Sequence, residues 1–393
     1  MKRSEHRILT THVGSLPRAR ALSDLLIAEE NKQSIDHAAL DRLAKDGVQH
    51  VVAKQVASGL DVINDGEQPR VGFQTYVGQR LEGFNGISER ELFKDFANYP
   101  DFGQVWANRG MVMSKVFDAP AASEPVRYKD LAPAKRECDL FDEALKAHAG
   151  KYAETFMTAA SPGIVCTTMR NGGAYDSHAN YVRAVAKELK KEYELIHSRG
   201  YILQLDCPDL AMEWHGMFQN GSLKQFQDAI TVHIEAINDA CENIPADRIR
   251  LHVCWGNYDG PHDCDVPLED IFPIIMEANV GAFSVEFANP RHQHEYAALK
   301  KHPLKKDKIL IPGVIDSTVN YIEHPQVICN RLLEAVSVVG DRERVIAGAD
   351  CGFGTFAGWE MVAASVVWKN LKHWPKAPSS RRKNSGAEHA RHL

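Results

Sequence analysis

The stretch RLHVCWGNYDG, residues 250–260, carries a histidine and a cysteine two positions apart within an apolar run. Side chains two residues apart on a β-strand point to the same side. If this run is a strand, His252 and Cys254 face the same way, close to the point where the strand ends. The rest of the chain indicates what type of sheet contains this strand.

Short apolar, β-branched runs recur along the sequence, and amphipathic helical patterns lie between several of them. Two such helical patterns cover residues 39–59 and 177–200. Strands alternating with helices predict a parallel sheet, and eight strands predict a closed (β/α)8 TIM barrel. The rival doubly wound sheet normally carries a glycine-rich phosphate turn after an early strand, and this sequence has none. The predicted strands are residues 7–13, 60–65, 163–168, 201–206, 248–254, 282–287, 308–316 and 344–350.

The domain organisation predicted from this rhythm is a single catalytic barrel over residues 1–373. A stretch of about residues 85–150 breaks the alternation and is interpreted as an insertion after strand two. Residues 374–393 are polar and contain proline and serine, which predicts a disordered tail.

Composition narrows the class of protein. The chain has 393 residues and a formal net charge of −6, which gives no basic footprint for nucleic acid. No apolar stretch approaches the ~20 residues of a membrane span, and the first residues lack the apolar core of a signal peptide. We therefore expect a cytoplasmic protein without a membrane partner, in which the eight scattered cysteines are free thiols or metal ligands.

Residues capable of chemistry fall where the predicted strands end. In a TIM barrel the carboxyl ends of all strands converge on the face that carries the active site. A thiolate and an imidazole together favour Zn²⁺ over Mg²⁺ or Ca²⁺. For His252 and Cys254 alone, a buried cysteine beside a hydrogen-bonded histidine is the simpler interpretation. Cys351 and Glu286, at the ends of other strands, shift the balance toward a metal site. The complete set is His12, Glu67, Asp206, His252, Cys254, Glu286, Asp316 and Cys351.

Other polar residues allow two interpretations each. His262, His292 and His294 could form a second metal cluster or simply be exposed loop histidines. Trp255 lines a substrate pocket or caps the core. Glu67 either pairs with Arg70 or faces a substrate, and its place at a strand end favours the substrate.

Seven motifs together resemble the cobalamin-independent methionine synthase family. They are TTHVGSLPR, DVINDGEQ, QLDCPDL, HVCWGN, VEFANPRH, IPGVIDS and GADCGFGT, in the family's order between about residues 6 and 370. The likeness is strongest to short, single-barrel members, which include proteins similar to epoxyalkane:coenzyme M transferase. The resemblance implies a catalytic zinc held by His252, Cys254, Glu286 and Cys351. It also implies that Ser15, Glu67 and Asp206 hold an amino-acid thiol such as homocysteine.

The chain departs from the long synthases of this family in ways that bear on the alkyl donor. It has no room for their second, N-terminal barrel, and Thr318 stands where they carry a histidine, with His324 only nearby. Their Asp-Glu-Pro motif reads Asp206-Cys207-Pro208 here. These changes put a folate donor in doubt but leave activation of a thiol by zinc intact.

The sequence therefore predicts a zinc-dependent thiol methyltransferase whose partners are a small-molecule thiol and an alkyl donor. Candidates for protonating the leaving group are His12, Asp316 and His324. Two alternatives stay open: an epoxide:thiol transferase or carbon–sulfur lyase, and a zinc-binding barrel without catalytic activity.

Overall fold

The computed structural model describes residues 1–109 and 118–372, and eight parallel strands form its centre. In chain order the strands are β1 (Leu9–Thr10), β2 (Val62–Ile63), β3 (Glu154–Ala160), β4 (Ile202–Asp206), β5 (Ile249–Val253), β6 (Ala282–Val285), β7 (Ile309–Ile315) and β8 (Ile346–Ala349). Each strand from β2 onward pairs with the next along the chain, and β8 pairs with β1. Between β1 and β2 a backbone hydrogen bond of 3.1 Å joins Asp61 N to Thr10 O. The predicted (β/α)8 barrel is therefore confirmed.

The third predicted strand is wrong. Residues 163–168 belong to a helix (Pro162–Thr168), and strand β3 lies just before it. Ser161 caps this helix by accepting a hydrogen bond from Ile164 N, and Pro162 occupies its first turn. These two residues start a helix despite the β-branched residues that follow, because a serine cap and an N-terminal proline both suit a helix start.

Thirteen α-helices are described, and most of the long ones surround the barrel. They are α1 (Arg20–Glu30), α2 (His37–Ser58), α3 (Val77–Arg80), α4 (Lys94–Asn98), α5 (Pro100–Ala107), α6 (Ala132–Lys146), α7 (Pro162–Thr168), α8 (His178–Ser198), α9 (Leu223–Ala240), α10 (Leu268–Ile275), α11 (Tyr296–Lys301), α12 (Pro325–Val339) and α13 (Ala364–Lys372). The helical patterns predicted over residues 39–59 and 177–200 correspond to α2 and α8. Asp36 and Ser177 cap these two helices at their first turns.

The chain between β2 and β3 is much longer than the other connections. It contains two antiparallel pairs of short strands, Leu81–Glu82 with Arg127–Tyr128 and Gly86–Ile87 with Pro120–Ala121. Helix α6 lies within the range predicted as an insertion, yet it packs against α2 and α8 in the layer around the barrel. The predicted tail, residues 374–393, lies outside the described residues. Within the described ranges, no helix has both the length and the apolar character that crossing a membrane requires.

The interior of the barrel is polar beneath the mouth. Arg250 on β5 donates to Gln204 Oε1 at 2.6 Å and to the carbonyl oxygen of His12 at 2.7 Å, and its guanidinium lies 3.6 Å from the centre of the Phe156 ring. Because side chains alternate along a strand, His252 and Cys254 share the inward direction of Arg250. Arg250 therefore fills the barrel below the pair and leaves them near its open end.

Candidate active site

A cavity at the carboxyl ends of the strands brings together residues that are far apart in the sequence. Six of the predicted site residues line it: Ser15, Glu67, Asp206, His252, Cys254 and Cys351. The strand register accounts for part of this arrangement, because Asp206 at the end of β4 pairs with His252 on β5. This is the face on which TIM barrels carry their active sites.

One side of the cavity, here called the metal corner, consists of His252, Cys254 and Cys351. One ligand atom from each residue can be chosen so that all three lie within 4.8 Å of one another. All three residues are buried, and neither ring nitrogen of His252 has a hydrogen-bond partner among the described residues. An unpartnered buried imidazole costs free energy, and a cation between it and two sulfurs removes that cost. One nitrogen and two sulfurs form a donor set that suits zinc.

The charge distribution of the metal corner also favours a cation. A hydrogen bond from Cys351 holds the pKa of Cys254 well below its usual range, and the same contact, with burial, raises the pKa of Cys351. Burial lowers the pKa of His252, but contact with Cys254 outweighs burial and raises it. The corner therefore gathers negative charge on sulfur at a position with little access to water.

Glu286 lies close to the metal corner without joining it. The residue is buried just after β6, and its carboxylate accepts a hydrogen bond of 3.1 Å from Asn289 Nδ2. Burial and the negative charge of Cys254 raise its pKa well above the usual range. The structure thus brings three of the four predicted ligands together and leaves Glu286 bonded to a neighbour, outside the set within 4.8 Å.

Asp350 positions the chain that follows Glu286. Its carboxylate accepts hydrogen bonds of 2.8–2.9 Å from the backbone N–H groups of residues 287, 288 and 289. A Cβ atom on Gly313 would lie 1.9 Å from Asp350 Oδ1, so the barrel wall needs glycine there. Asp350 thereby fixes both Glu286 and the adjacent Cys351. It was not predicted as a site residue, although it directly precedes a predicted ligand.

The other side of the cavity, here called the acid corner, consists of Glu67 and Asp206. Thr158 donates to Glu67 Oε1 at 2.9 Å, whereas Glu67 Oε2 is buried without a hydrogen-bond partner among the described residues. Burial raises the pKa of Glu67, and burial together with the charge of Glu67 raises the pKa of Asp206 to about 7. A small cation close to both of these buried acids would stabilise their charged forms.

The local backbone supports a substrate-facing role for Glu67. Its φ of +53° lies in the left-handed region, which is uncommon for a residue other than glycine and typical of functional sites. The alternative pairing with Arg70 is not formed, because the Arg70 guanidinium contacts Glu137 at 2.9 Å. Ser15 lies nearby and accepts a hydrogen bond of 3.3 Å from Gly354 N.

Aromatic side chains form the outer wall of the cavity. The sequence reading missed them, since several come from the long connection between β2 and β3, where loop conformation could not be inferred. The density of aromatic residues there, with Phe93, Phe96 and Trp106 in 14 positions, was the available signal. Arg90 also lines the cavity, and its guanidinium contacts Glu213 at 3.0 Å. The wall consists of Phe73, Phe93, Phe96, Trp106, Tyr258, Phe356 and Trp359.

Two predicted residues point away from the cavity. Trp255 is fully buried, donates from its indole to the carbonyl oxygen of Val266 at 2.8 Å and stacks on His292. It follows Cys254 in sequence, so strand alternation turns it outward. His12 is also buried, lies 2.8 Å through Nε2 from Gln55 Oε1, and has its pKa lowered to about 3 by burial.

The other two proton-donor candidates differ from each other in burial. Asp316 is 7% exposed and accepts hydrogen bonds of 2.8 Å from both the backbone and the hydroxyl of Thr318. His324 is exposed and caps α12 by accepting a hydrogen bond of 3.1 Å from Gln326 N. Neither residue lines the cavity, and only Asp316 lies close enough to act electrostatically on Glu286.

Comparison with known proteins supports the resemblance seen in the motifs. Residues 8–97 match the family model described as the catalytic domain of cobalamin-independent synthase. The chain is 23% identical over 375 residues to the uncharacterized protein YxjH of Bacillus subtilis, covering 92% of this chain and 91% of that protein. It is 22% identical over 341 residues to 2-hydroxypropyl-CoM lyase of Xanthobacter autotrophicus, covering 80% of each.

A solved structure has the same fold. The B12-independent methionine synthase from Shewanella sp. W3-18-1, in complex with selenomethionine, matches with a TM-score of 0.68 at 18% identity. The match covers 93% of this chain and 95% of that chain. The chain therefore resembles the cobalamin-independent methionine synthase family, as its motifs predict: residues 8–97 match the family model, and the barrel has the fold of a solved B12-independent methionine synthase.

Proposed function

We propose that this protein transfers an alkyl group, a methyl group in the first instance, to the sulfur of an amine-bearing thiol such as homocysteine, with zinc as cofactor. The observation that carries the proposal is the metal corner, where three ligand atoms converge at the edge of a cavity. Catalytic zinc sites use three protein ligands and keep one position open, whereas structural sites use four.

Within this proposal, His252, Cys254 and Cys351 hold the zinc ion. Zinc bound there would deprotonate an incoming thiol, whose free pKa is about 8.5, and so provide a sulfur nucleophile at neutral pH. Glu286 lies beside these ligands and would serve as the fourth ligand, through a carboxylate oxygen, when no substrate is bound. Its hydrogen bond from Asn289 gives the carboxylate a partner when the thiol takes that position.

The acid corner selects the thiol. Glu67 has one buried oxygen without a partner in the described structure, and Asp206 lies close enough for its pKa to respond to the Glu67 charge. The ammonium group of homocysteine would neutralise this pair and donate to the open oxygen of Glu67. A thiol that carries an ammonium group therefore gains binding energy here that a thiol without one does not.

The same corner weighs against coenzyme M as the thiol, although the chain is similar to 2-hydroxypropyl-CoM lyase. Coenzyme M ends in a sulfonate, and a sulfonate beside Glu67 and Asp206 would be repelled. The guanidinium of Arg90, the cation that lines the cavity, already contacts Glu213. Homocysteine therefore fits the cavity better than coenzyme M.

The aromatic wall limits which alkyl donors can bind in the cavity. Large aromatic side chains exclude water and favour a small or planar apolar electrophile. Polyglutamylated folate would require cationic contacts for its tail, and among the described residues Arg90 is the one arginine or lysine that lines the cavity. We therefore propose a compact methyl donor or alkyl electrophile. Asp316 is the proposed source of the leaving-group proton, because it alone among the three candidates lies within electrostatic reach of Glu286.

A mass-spectrometric screen tests the proposal. The zinc-loaded protein is incubated with homocysteine, coenzyme M or glutathione, each with methyl donors and with small epoxides. We expect S-alkylated homocysteine, with little product from coenzyme M. Glu67→Gln should reduce the homocysteine product selectively, and Glu82→Gln, at an exposed site outside the cavity, serves as the matched control. Transfer to coenzyme M alone, or no transfer to any thiol, would contradict the proposal.

A further inference from the structure

Three histidines surround one buried carboxylate outside the cavity. Their side chains and that of Asp265 are at most 10% exposed, and none of the four lines the cavity. His215 lies in the connection after β4, His262 and Asp265 lie after β5, and His292 lies after β6. His294, which the sequence grouped with His262 and His292, has a side chain that is 71% exposed.

The ligand atoms of this cluster converge on a single oxygen. His262 Nδ1 lies 3.0 Å and His292 Nε2 lies 2.9 Å from Asp265 Oδ2. One ligand atom from each of these three residues can be chosen within 4.8 Å of the others, as in the metal corner. His215 Nδ1 lies 3.1 Å from the other oxygen, Asp265 Oδ1.

The hydrogen-bond partners of His262 leave its second ring nitrogen facing an acceptor. His262 Nε2 lies 3.0 Å from the carbonyl oxygen of Tyr258, which can only accept, so this nitrogen carries hydrogen. In the neutral ring Nδ1 is then a bare lone pair that faces a carboxylate oxygen. Two acceptors cannot bond to each other. Either a second proton on His262 or a metal ion must lie between them.

Hydrogen bonding does not satisfy the rest of the cluster. Although His215 Nδ1 and Asp265 Oδ1 are close, their geometry does not make a hydrogen bond, and both His215 nitrogens and His292 Nδ1 lack partners among the described residues. Buried polar atoms without partners are rare in folded proteins.

We propose that His262, Asp265 and His292 bind a second divalent transition-metal ion, separate from the metal corner. Two imidazoles and one carboxylate suit zinc or iron(II), and not magnesium or calcium, which prefer oxygen ligands. The Tyr258 carbonyl on the far nitrogen of His262 is the outer contact that metal-ligating histidines usually make. His215 lies against the free carboxylate oxygen and positions Asp265.

The second ion would connect loops that carry the active site. His262 and Asp265 belong to the connection that begins at Cys254 and includes Tyr258 of the aromatic wall, and His292 follows Glu286 by six residues. Binding both loops to one ion would hold them together at the mouth of the barrel. This role is structural and does not depend on which thiol or donor is used.

Metal counting on the full-length protein tests the proposal. After incubation with zinc and dialysis, we expect two zinc ions per chain in the wild type and one in Asp265→Asn. The control His294→Ala alters an exposed histidine two residues from His292 and should keep two. A single zinc in the wild type, or two in Asp265→Asn, would overturn the proposal.

A second variant covers the case in which Asp265→Asn does not fold. Cys254→Ala/Cys351→Ala removes the sulfur ligands of the metal corner and leaves the histidine cluster intact. It should retain one zinc whose X-ray absorption spectrum shows nitrogen and oxygen neighbours without sulfur. Absence of zinc from this folded variant would refute the second site. Because thiol transfer is assayed separately, a wild type with two zinc ions and no transfer would refute only the proposed function.

Discussion

The two corners of the cavity both contain groups that can carry negative charge, yet they lack different binding partners. The metal corner holds His252 with two unpartnered ring nitrogens beside two sulfurs. In the acid corner Thr158 already bonds one oxygen of Glu67, Gln204 donates to Asp206 at 2.6 Å, and a single Glu67 oxygen is left open. In the proposed function a divalent ion supplies the contacts that the metal corner lacks. The acid corner needs only one donor with a single positive charge.

In the proposed function the metal corner therefore carries the chemistry, and the acid corner selects the thiol. Removing a group from the metal corner should abolish the chemistry with any thiol. Removing a charge from the acid corner should change which thiol binds. The same distinction sets the expected size of each effect.

The largest effect is expected from Cys351→Ala. Loss of one sulfur ligand should remove the zinc of the metal corner, one of the two proposed ions, and lower activity by more than about 100-fold, since even outer contacts to a metal site are worth about 10–100-fold. Zinc content and initial rates, measured together, check this. The control Cys329→Ala changes a half-buried cysteine of α12, outside the cavity, and should leave both unchanged. A folded Cys351→Ala protein with the zinc content of the wild type would contradict the proposed roles of the two corners.

A smaller effect is expected from Glu67→Gln. Losing the negative charge should raise the KM for homocysteine by about 30-fold or more, because disrupting a buried charge pair typically costs about 2 kcal/mol or more. Zinc content should stay at the wild-type level. Steady-state kinetics with homocysteine, alongside metal analysis, make the measurement. Equal KM values for Glu67→Gln and wild type would mean that the ammonium binds elsewhere.

The acid corner should also respond to pH. Burial and the charge of Glu67 raise the pKa of Asp206 to about 7 in the ligand-free protein, and a bound ammonium lowers it. Binding below that pH therefore releases a proton, so affinity rises as pH increases toward about 7 and then levels off. Methionine is the appropriate ligand because it has no thiol proton, and calorimetry measures its affinity. Asp206→Asn should flatten the profile; a wild-type profile already flat would contradict the assignment.

The smallest effect is expected from His324→Ala. His324 is exposed and caps α12, so its loss should cost about 0.5–1 kcal/mol of stability, in the range of other N-caps. The rate of transfer should stay within about threefold of the wild type, a change of under 1 kcal/mol in the barrier. Thermal unfolding and initial rates make the comparison, with Asp316→Asn assayed in parallel. A large loss of rate in His324→Ala but not in Asp316→Asn would make His324, and not Asp316, the proton donor.

The strands were predictable where local signals were consistent. The period-two pattern at residues 248–254 correctly placed His252 and Cys254 on one side of β5. The same alternation would have turned Trp255 outward, where the structure places it. At residues 163–168 the β-branched side chains were given more weight than the Ser161–Pro162 helix start, and the strand was misplaced.

What could not be predicted depends on loops that are fixed only by tertiary contacts. No local pattern reveals that His215 approaches Asp265 across 50 residues, or that the chain after β2 supplies the aromatic wall. Likewise, only one oxygen of Glu67 is open because Thr158 donates to the other. Thr158 lies on a strand whose position was wrongly predicted. Strand ends thus indicated which residues meet, and the structure showed which of their atoms have no partner.

Zinc-edge X-ray absorption, with and without homocysteine, tests the central claim most directly. In the proposed site the ion would have two sulfur ligands, Cys254 and Cys351, at the edge of the cavity. The measurement uses Asp265→Asn, so that this ion alone contributes to the spectrum. The account predicts a third sulfur neighbour when homocysteine is added and no change when serine replaces it. A spectrum that keeps two sulfur neighbours at saturating homocysteine would contradict it.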